Sequence, residues 1–100
     1  MTQYLIATSV LEAIVRGSLD GDERLRIHSP LALVRTHPVE LAVEGDECRI
    51  AVQLDARMGE HLPTLASSVR QTVATALTSM TGLRVAAVDV AFSGVFPVGV

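Results

Sequence analysis

Lysine is absent from this chain, and all eight basic residues are arginine. That absence removes Schiff-base chemistry, a lysine general base and the phosphate-gripping lysine of a Walker A loop. Tryptophan is absent too, and the only aromatics are Tyr4, Phe92 and Phe96. Few flat rings are left to stack bases or line a cofactor pocket, so the core has to be built from Val, Leu, Ile and Ala. The one cysteine, Cys48, has no internal partner for a disulfide, which makes a reducing compartment the default. No apolar run approaches the ~20 residues that span a bilayer. The first basic residue, Arg16, follows the first apolar stretch, the reverse of a secretory signal. A cytoplasmic protein is expected. Basic residues number 8 against 11 acidic ones, a net charge of −3. Such a chain lacks the basic stripe by which nucleic-acid binders displace phosphate counterions.

What is present suits one small globular domain spanning residues 1–100, with 49% hydrophobic and 19% charged residues. Tyr4–Ala7 is apolar and short, an opening strand. Ser9 followed three residues later by Glu12 has the form of a capping box. Val10, Leu11, Ile14, Val15 and Leu19 then recur at helical spacing, and the helix ends at Asp20-Gly21-Asp22-Glu23. Leu25 and Ile27 alternate with Arg24 and Arg26 as a short strand would, but Pro30 and Pro38 bracket Leu31–Val34. The stretch reads as an irregular connection. Val39, Leu41 and Val43, a turn at Glu44-Gly45-Asp46-Glu47, and Cys48, Ile50, Val52 and Leu54 form a β-hairpin.

Pro63 opens a second, longer helix with a stripe of Leu62, Leu65, Ala66, Val69, Val73, Ala76, Leu77 and Met80, and Gly82 closes it. Val88, Val90 and Phe92 alternate in a last strand, before Gly94 and an apolar tail over 95–100. The order is β-α-β-β-α-β. It predicts an α+β two-layer sandwich, with two helices on one face of a mostly antiparallel sheet of about four strands.

Two stretches give the chain a family resemblance. One is Thr8-Ser9-Val10-Leu11-Glu12-Ala13-Ile14-Val15. The other is Leu62-Pro63, the long helix, Met80-Thr81-Gly82-Leu83-Arg84-Val85 and the strand Val88-Asp89-Val90-Ala91-Phe92 closing at Gly94-Val95. Together they resemble the alkaline-shock-protein family of Gram-positive bacteria, over roughly Leu5 to Val95. Where that family commonly has a Pro-Gly-Val turn, this chain has Asp20-Gly21-Asp22 and then a longer arginine-containing connection. The resemblance implies a role in general stress response and cell-envelope maintenance. It also implies a cytoplasmic protein that self-associates, is held near the membrane by an anchoring partner protein, and has no catalytic residues to carry over.

The side chains point the same way on catalysis. His28, His37, His61 and Cys48 are the classical soft metal ligands, and none shows ligand spacing. The histidines read as isolated surface or loop residues, and Cys48, in line with Ile50 and Val52, reads as core. Asp20, Asp22 and Glu23 lack the further oxygen ligands of a calcium loop, and Glu44, Asp46 and Glu47 read as a charged hairpin tip. Asp55 and Arg57, and Asp89 and Arg84, read as ordinary charges on a solvated strand face. No catalytic, cofactor or metal residue is assigned.

The unusual surface is the outer arc of the long helix. Thr64, Ser67, Ser68, Gln71, Thr72, Thr75, Thr78 and Ser79 fall there, and none is charged. Exposed helix faces usually carry Glu, Lys and Arg, which are better helix formers. The arc, with Phe96 of the tail, is the candidate interface for a homo-oligomer; a merely solvated face is the alternative. The leading expectation is a non-enzymatic stress or envelope scaffold acting by self-association and protein–protein contacts. A small RNA-binding α/β module is the runner-up, opposed by the net acidity and the missing lysines.

Overall fold

In the computed structural model, which describes residues 6–28 and 37–98, the first helix, α1 (Thr8–Leu19), buries Leu11, Val15 and Leu19, one residue per turn. The expected capping box does not form. Ala7 is the N-cap and offers no side-chain acceptor, so Ser9 falls inside the first turn. Glu12 instead accepts from Arg16 one turn on, at 3.0 Å, a spacing that exposed helix pairs favour. Of the expected opening strand, Tyr4 and Leu5 lie outside the described residues, and Ile6 and Ala7 are not in a strand. After α1, Gly21 takes a positive φ of 87°, and the Asp22 carboxylate accepts from both the backbone and the guanidinium of Arg24.

The stretch read as irregular contains a true strand, β1 (Leu25–Ile27), followed by β2 (Val39–Glu44) and β3 (Glu47–Arg57). Leu31–Val34 lie outside the described residues. Gly45, with a φ of 62°, occupies the first central position of the two-residue turn between β2 and β3, where a hairpin turn of the II′ kind requires it.

Strand β3 is the centre of the sheet. Cys48, Ile50, Val52, Leu54 and Ala56 point from it into the core. Both β1 and β2 pair antiparallel with it, with Ile27 opposite Leu54 and Val39 opposite Val52. The two therefore lie end to end along one edge of β3 as halves of a single interrupted strand. Gln53 stands at the gap and holds both ends. It accepts from the His28 N–H at 2.9 Å and donates to the Pro38 carbonyl at 2.7 Å.

On the other edge of β3 runs β4 (Arg84–Phe96), parallel to it. A parallel neighbour needs a crossover element, and α2 (Leu62–Thr81) supplies it. Pro63 stands in the first turn of α2, and Leu65, Ala66, Val69, Val73 and Leu77 are buried. The stripe is shorter than the sequence suggests at both ends: Leu62 is 39% and Met80 is 70% exposed. Thr81 is buried in their place. Its hydroxyl donates to the Leu77 carbonyl at 2.6 Å and accepts from the Leu83 N–H at 3.1 Å. That pair of bonds, with Gly82 at a φ of 76°, turns the Met-Thr-Gly-Leu corner into β4.

Strand β4 is longer than Val88–Phe92. Val95 pairs with Ala56 and Phe96 with Arg57, and the Phe96 carbonyl accepts from the Met58 N–H at 2.8 Å. The apolar tail expected over 95–100 thus loses its first two residues to the sheet. The helices share one face of the sheet, α1 over β1 and β2 and α2 over β4, and the α+β two-layer architecture stands with two antiparallel pairings and one parallel.

Candidate interaction surface

Seven of the eight residues on the outer arc of α2 are exposed; Ser68 is half-buried. Three of the arc's hydroxyls are engaged within the chain. Ser68 accepts from Arg24 at 3.2 Å, Thr64 bonds His61 Nδ1 at 2.7 Å, and Thr78 donates to the Leu83 carbonyl at 3.2 Å. Ser67, Gln71, Thr72, Thr75 and Ser79 face outward along the same arc. Phe96 is not brought together with them. It lies on the outer face of the sheet, away from both helices, with the Arg26 guanidinium 4.0 Å from its ring centre. The two parts of the expected interface are therefore separate surfaces.

The arc continues across the seam between the helices. Ser18, Gln71, Thr72 and Ala76 line one groove, and Val10, Ala13, Ile14, Gly17 and Met80 line a more apolar one beside it. Val10 is 49% exposed here. A methyl group added at Gly17 would meet nothing within 4 Å. No packing among the described residues asks for glycine there, although in an exposed helix interior it costs about 1 kcal/mol against alanine.

The charged groups, by contrast, are largely matched locally. Arg57 pairs with Glu60 at 2.8 Å, Arg24 with Asp22 at 2.7 Å, and Arg84 with Glu47. Arg57 and Arg84 thus pair with Glu60 and Glu47 and not with Asp55 and Asp89. Asp55 lies instead 2.8 Å from His28 Nδ1, so His28 is not an isolated loop histidine. The partners are 27 positions apart, and the broken strand that aligns them has no sequence signature. Gly94 stands opposite Asp55, and a Cβ there would come within 2.8 Å of the carboxylate oxygen. Glycine is what lets Asp55 lie across β4.

Among the described residues no group of three or more His, Cys, Asp or Glu is placed to hold a metal ion. Cys48 is 1% exposed in the core, and burial pushes its thiol pKa up, away from a nucleophilic thiolate. The Asp22 carboxyl is held below its usual range by the hydrogen bond from the Arg24 guanidinium. A lowered carboxyl pKa adds stability above the unfolded-state value, and the gain disappears as pH falls through the folded-state value. Both side chains are partly exposed, 27% and 36%. Asp22→Asn should therefore cost no more than about 1 kcal/mol near neutral pH. Urea titrations of the two proteins should converge as pH is lowered below the ordinary carboxyl range and through the depressed value of Asp22.

The outer face of the sheet offers little to RNA. Stacking modules set aromatics on such a face. Among the described residues the only aromatic on this one is Phe96, already covered by Arg26, and its other arginines, Arg49, Arg57 and Arg84, stand among Glu40, Glu44, Glu47, Asp55 and Asp89. Compared with known proteins, the chain matches the model of the alkaline shock protein 23 family, described as having a cell envelope-related function, over residues 6–97. No curated protein and no solved structure matches it.

Proposed function

The chain belongs to the alkaline shock protein 23 family, of cell envelope-related function, and we propose that within it the protein is a non-enzymatic scaffold working by self-association and protein–protein contact. The supporting observation is the outer surface of the helix layer. It joins an uncharged hydroxyl arc to an apolar groove where Val10 and Met80 stand out. Uncharged surface of this kind gains by being covered, since apolar area leaves water and few ionic groups need desolvation. The ion pairs of the charged side chains lie apart from the arc, apart from the Arg24–Ser68 bond at its edge. No helix of the described residues is long and apolar enough to cross a membrane. On the proposed reading the protein works in the cytoplasm during envelope stress and reaches the membrane through an anchoring partner.

Sedimentation of the purified chain at tens of micromolar, roughly the range where weak homo-oligomers form, tests the core of this reading. Thr72 and Thr75 are exposed on the arc. Changing both to Glu should leave the melting temperature in place and lower the sedimentation coefficient, because carboxylates would crowd a shared contact. A wild-type protein that sediments as a monomer would refute self-association.

A further inference from the structure

We infer that the free edge of β4 pairs antiparallel with β4 of a second copy about a two-fold axis through Val90, extending one sheet across both molecules; this rests on the self-association proposed above. The strand is 13 residues long, pairs only with β3 among the described residues, and carries two charges, Arg84 and Asp89. Edge strands of that length are normally guarded by proline, lysine or brevity. Proline and lysine are both missing between Arg84 and Phe96.

The direction of the backbone groups follows from the alternation. The Arg84 N–H reaches the Asp46 carbonyl and the Phe96 carbonyl takes the Met58 N–H, so the residues on the outer face bond towards β3. Those facing the helices, Val85, Val88, Val90, Phe92 and Val95, turn their backbone groups to the free edge. Arg70 of α2 confirms the direction by donating to the Val88 carbonyl at 3.2 Å. A carbonyl has a second lone pair for another donor.

The sequence of β4 is self-complementary about Val90. Antiparallel pairing centred there sets Val85 against the second copy's Val95, Val88 against its Phe92, and Val90 against its Val90. All of these are apolar, and Val85, Val90 and Phe92 are only half covered in the single chain, while Val95 is 61% exposed. On the outer face Arg84 meets the ring of the second copy's Phe96, and Asp89 meets its Ala91; no like charges stand opposite one another. The two register irregularities of β4, at Ala86 and Ser93, fall beside small residues of the other strand, Gly94 and Ala87.

Ala91 gives the test, because it is exposed and its replacement leaves the core alone. It lies in a pair without backbone bonds between the partners, where side chains approach most closely. Ala91→Asp sets a carboxylate against the second copy's Asp89 twice by symmetry, and the dimer Kd should rise roughly tenfold. Ala91→Arg sets a guanidinium there, and the Kd should fall several-fold. Both shifts should shrink in high salt. The edge contact is separate from the helix arc, so a dimer should survive the Thr72 and Thr75 changes. Loss of all association in that variant, or a wild-type dimer indifferent to both Ala91 variants, overturns the edge pairing while leaving self-association standing. A monomeric wild type overturns both.

Discussion

Val73→Asp and Leu77→Asp are each expected to abolish the cooperative thermal transition. Both side chains are fully buried on the core face of α2, packed between α1 and the sheet. A carboxylate placed there has no partner within reach and must either stay charged in a dry core or take up a proton. Either course costs several kcal/mol. Domains of this size are stable by about 5–15 kcal/mol in total, so most of the margin disappears. Circular dichroism during heating reads the result directly, and retention of the wild-type melting temperature by both variants would mean that the core face of α2 is wrongly assigned.

Leu54→Ala should lower stability by about 3 kcal/mol, as leucine truncation in a closed core does through lost contacts and a residual cavity. For a domain of this length that is on the order of 15 °C in melting temperature. Leu54 is fully buried, and its strand position is shared by Ile27 on one side and Phe92 on the other. The cavity therefore opens where three strands meet, and no single one can move to fill it. Val95→Ala serves as the control: at 61% exposed, Val95 should lose only a few tenths of a kcal/mol in the monomer. A loss under 1 kcal/mol at Leu54 would show that the sheet relaxes around its centre.

The parts of the fold carried by periodicity were legible. The i, i+4 run of Leu11, Val15 and Leu19 and the alternation from Cys48 to Leu54 each mark a face that one-sided burial requires. Gly45 and Gly82 stand where a positive φ is needed. The misreadings lie at element ends, where periodicity says nothing about what neighbours exist. Met80 continues the apolar stripe by spacing but projects past the last core contact, while Thr81 is buried because its hydroxyl can serve two backbone groups at a corner. The capping box failed because the helix begins one residue before Ser9.

Long-range pairings were the least legible. The alternation of β1 covers only three residues and is outweighed by the prolines that follow it; the antiparallel register against β3 identifies it as a strand. The same register carries His28 to Asp55 and Phe96 beneath Arg26, contacts between residues with no sequence spacing to announce them. Of the candidate surface, the uncharged arc was visible as an absence of charge on one side of a helix. Its continuation into the groove past Gly17 was not, since that depends on how α1 lies beside α2.

The way Gln53 holds both ends of the broken strand has a consequence for how such a chain can change over evolutionary time. Because His28 and Pro38 are fastened to the two backbone groups of one residue, the number of residues between them is not read by the sheet. Lengthening the chain between these two anchors leaves both bonds, and the pairings of β1 and β2 with β3, in register. This interval is therefore the position at which relatives can diverge in length and acquire new surface without disturbing the rest of the domain. An insertion of one residue within β3 itself would have to be absorbed by a bulge, as in β4, or it would turn the β3 core side chains beyond it to the wrong face.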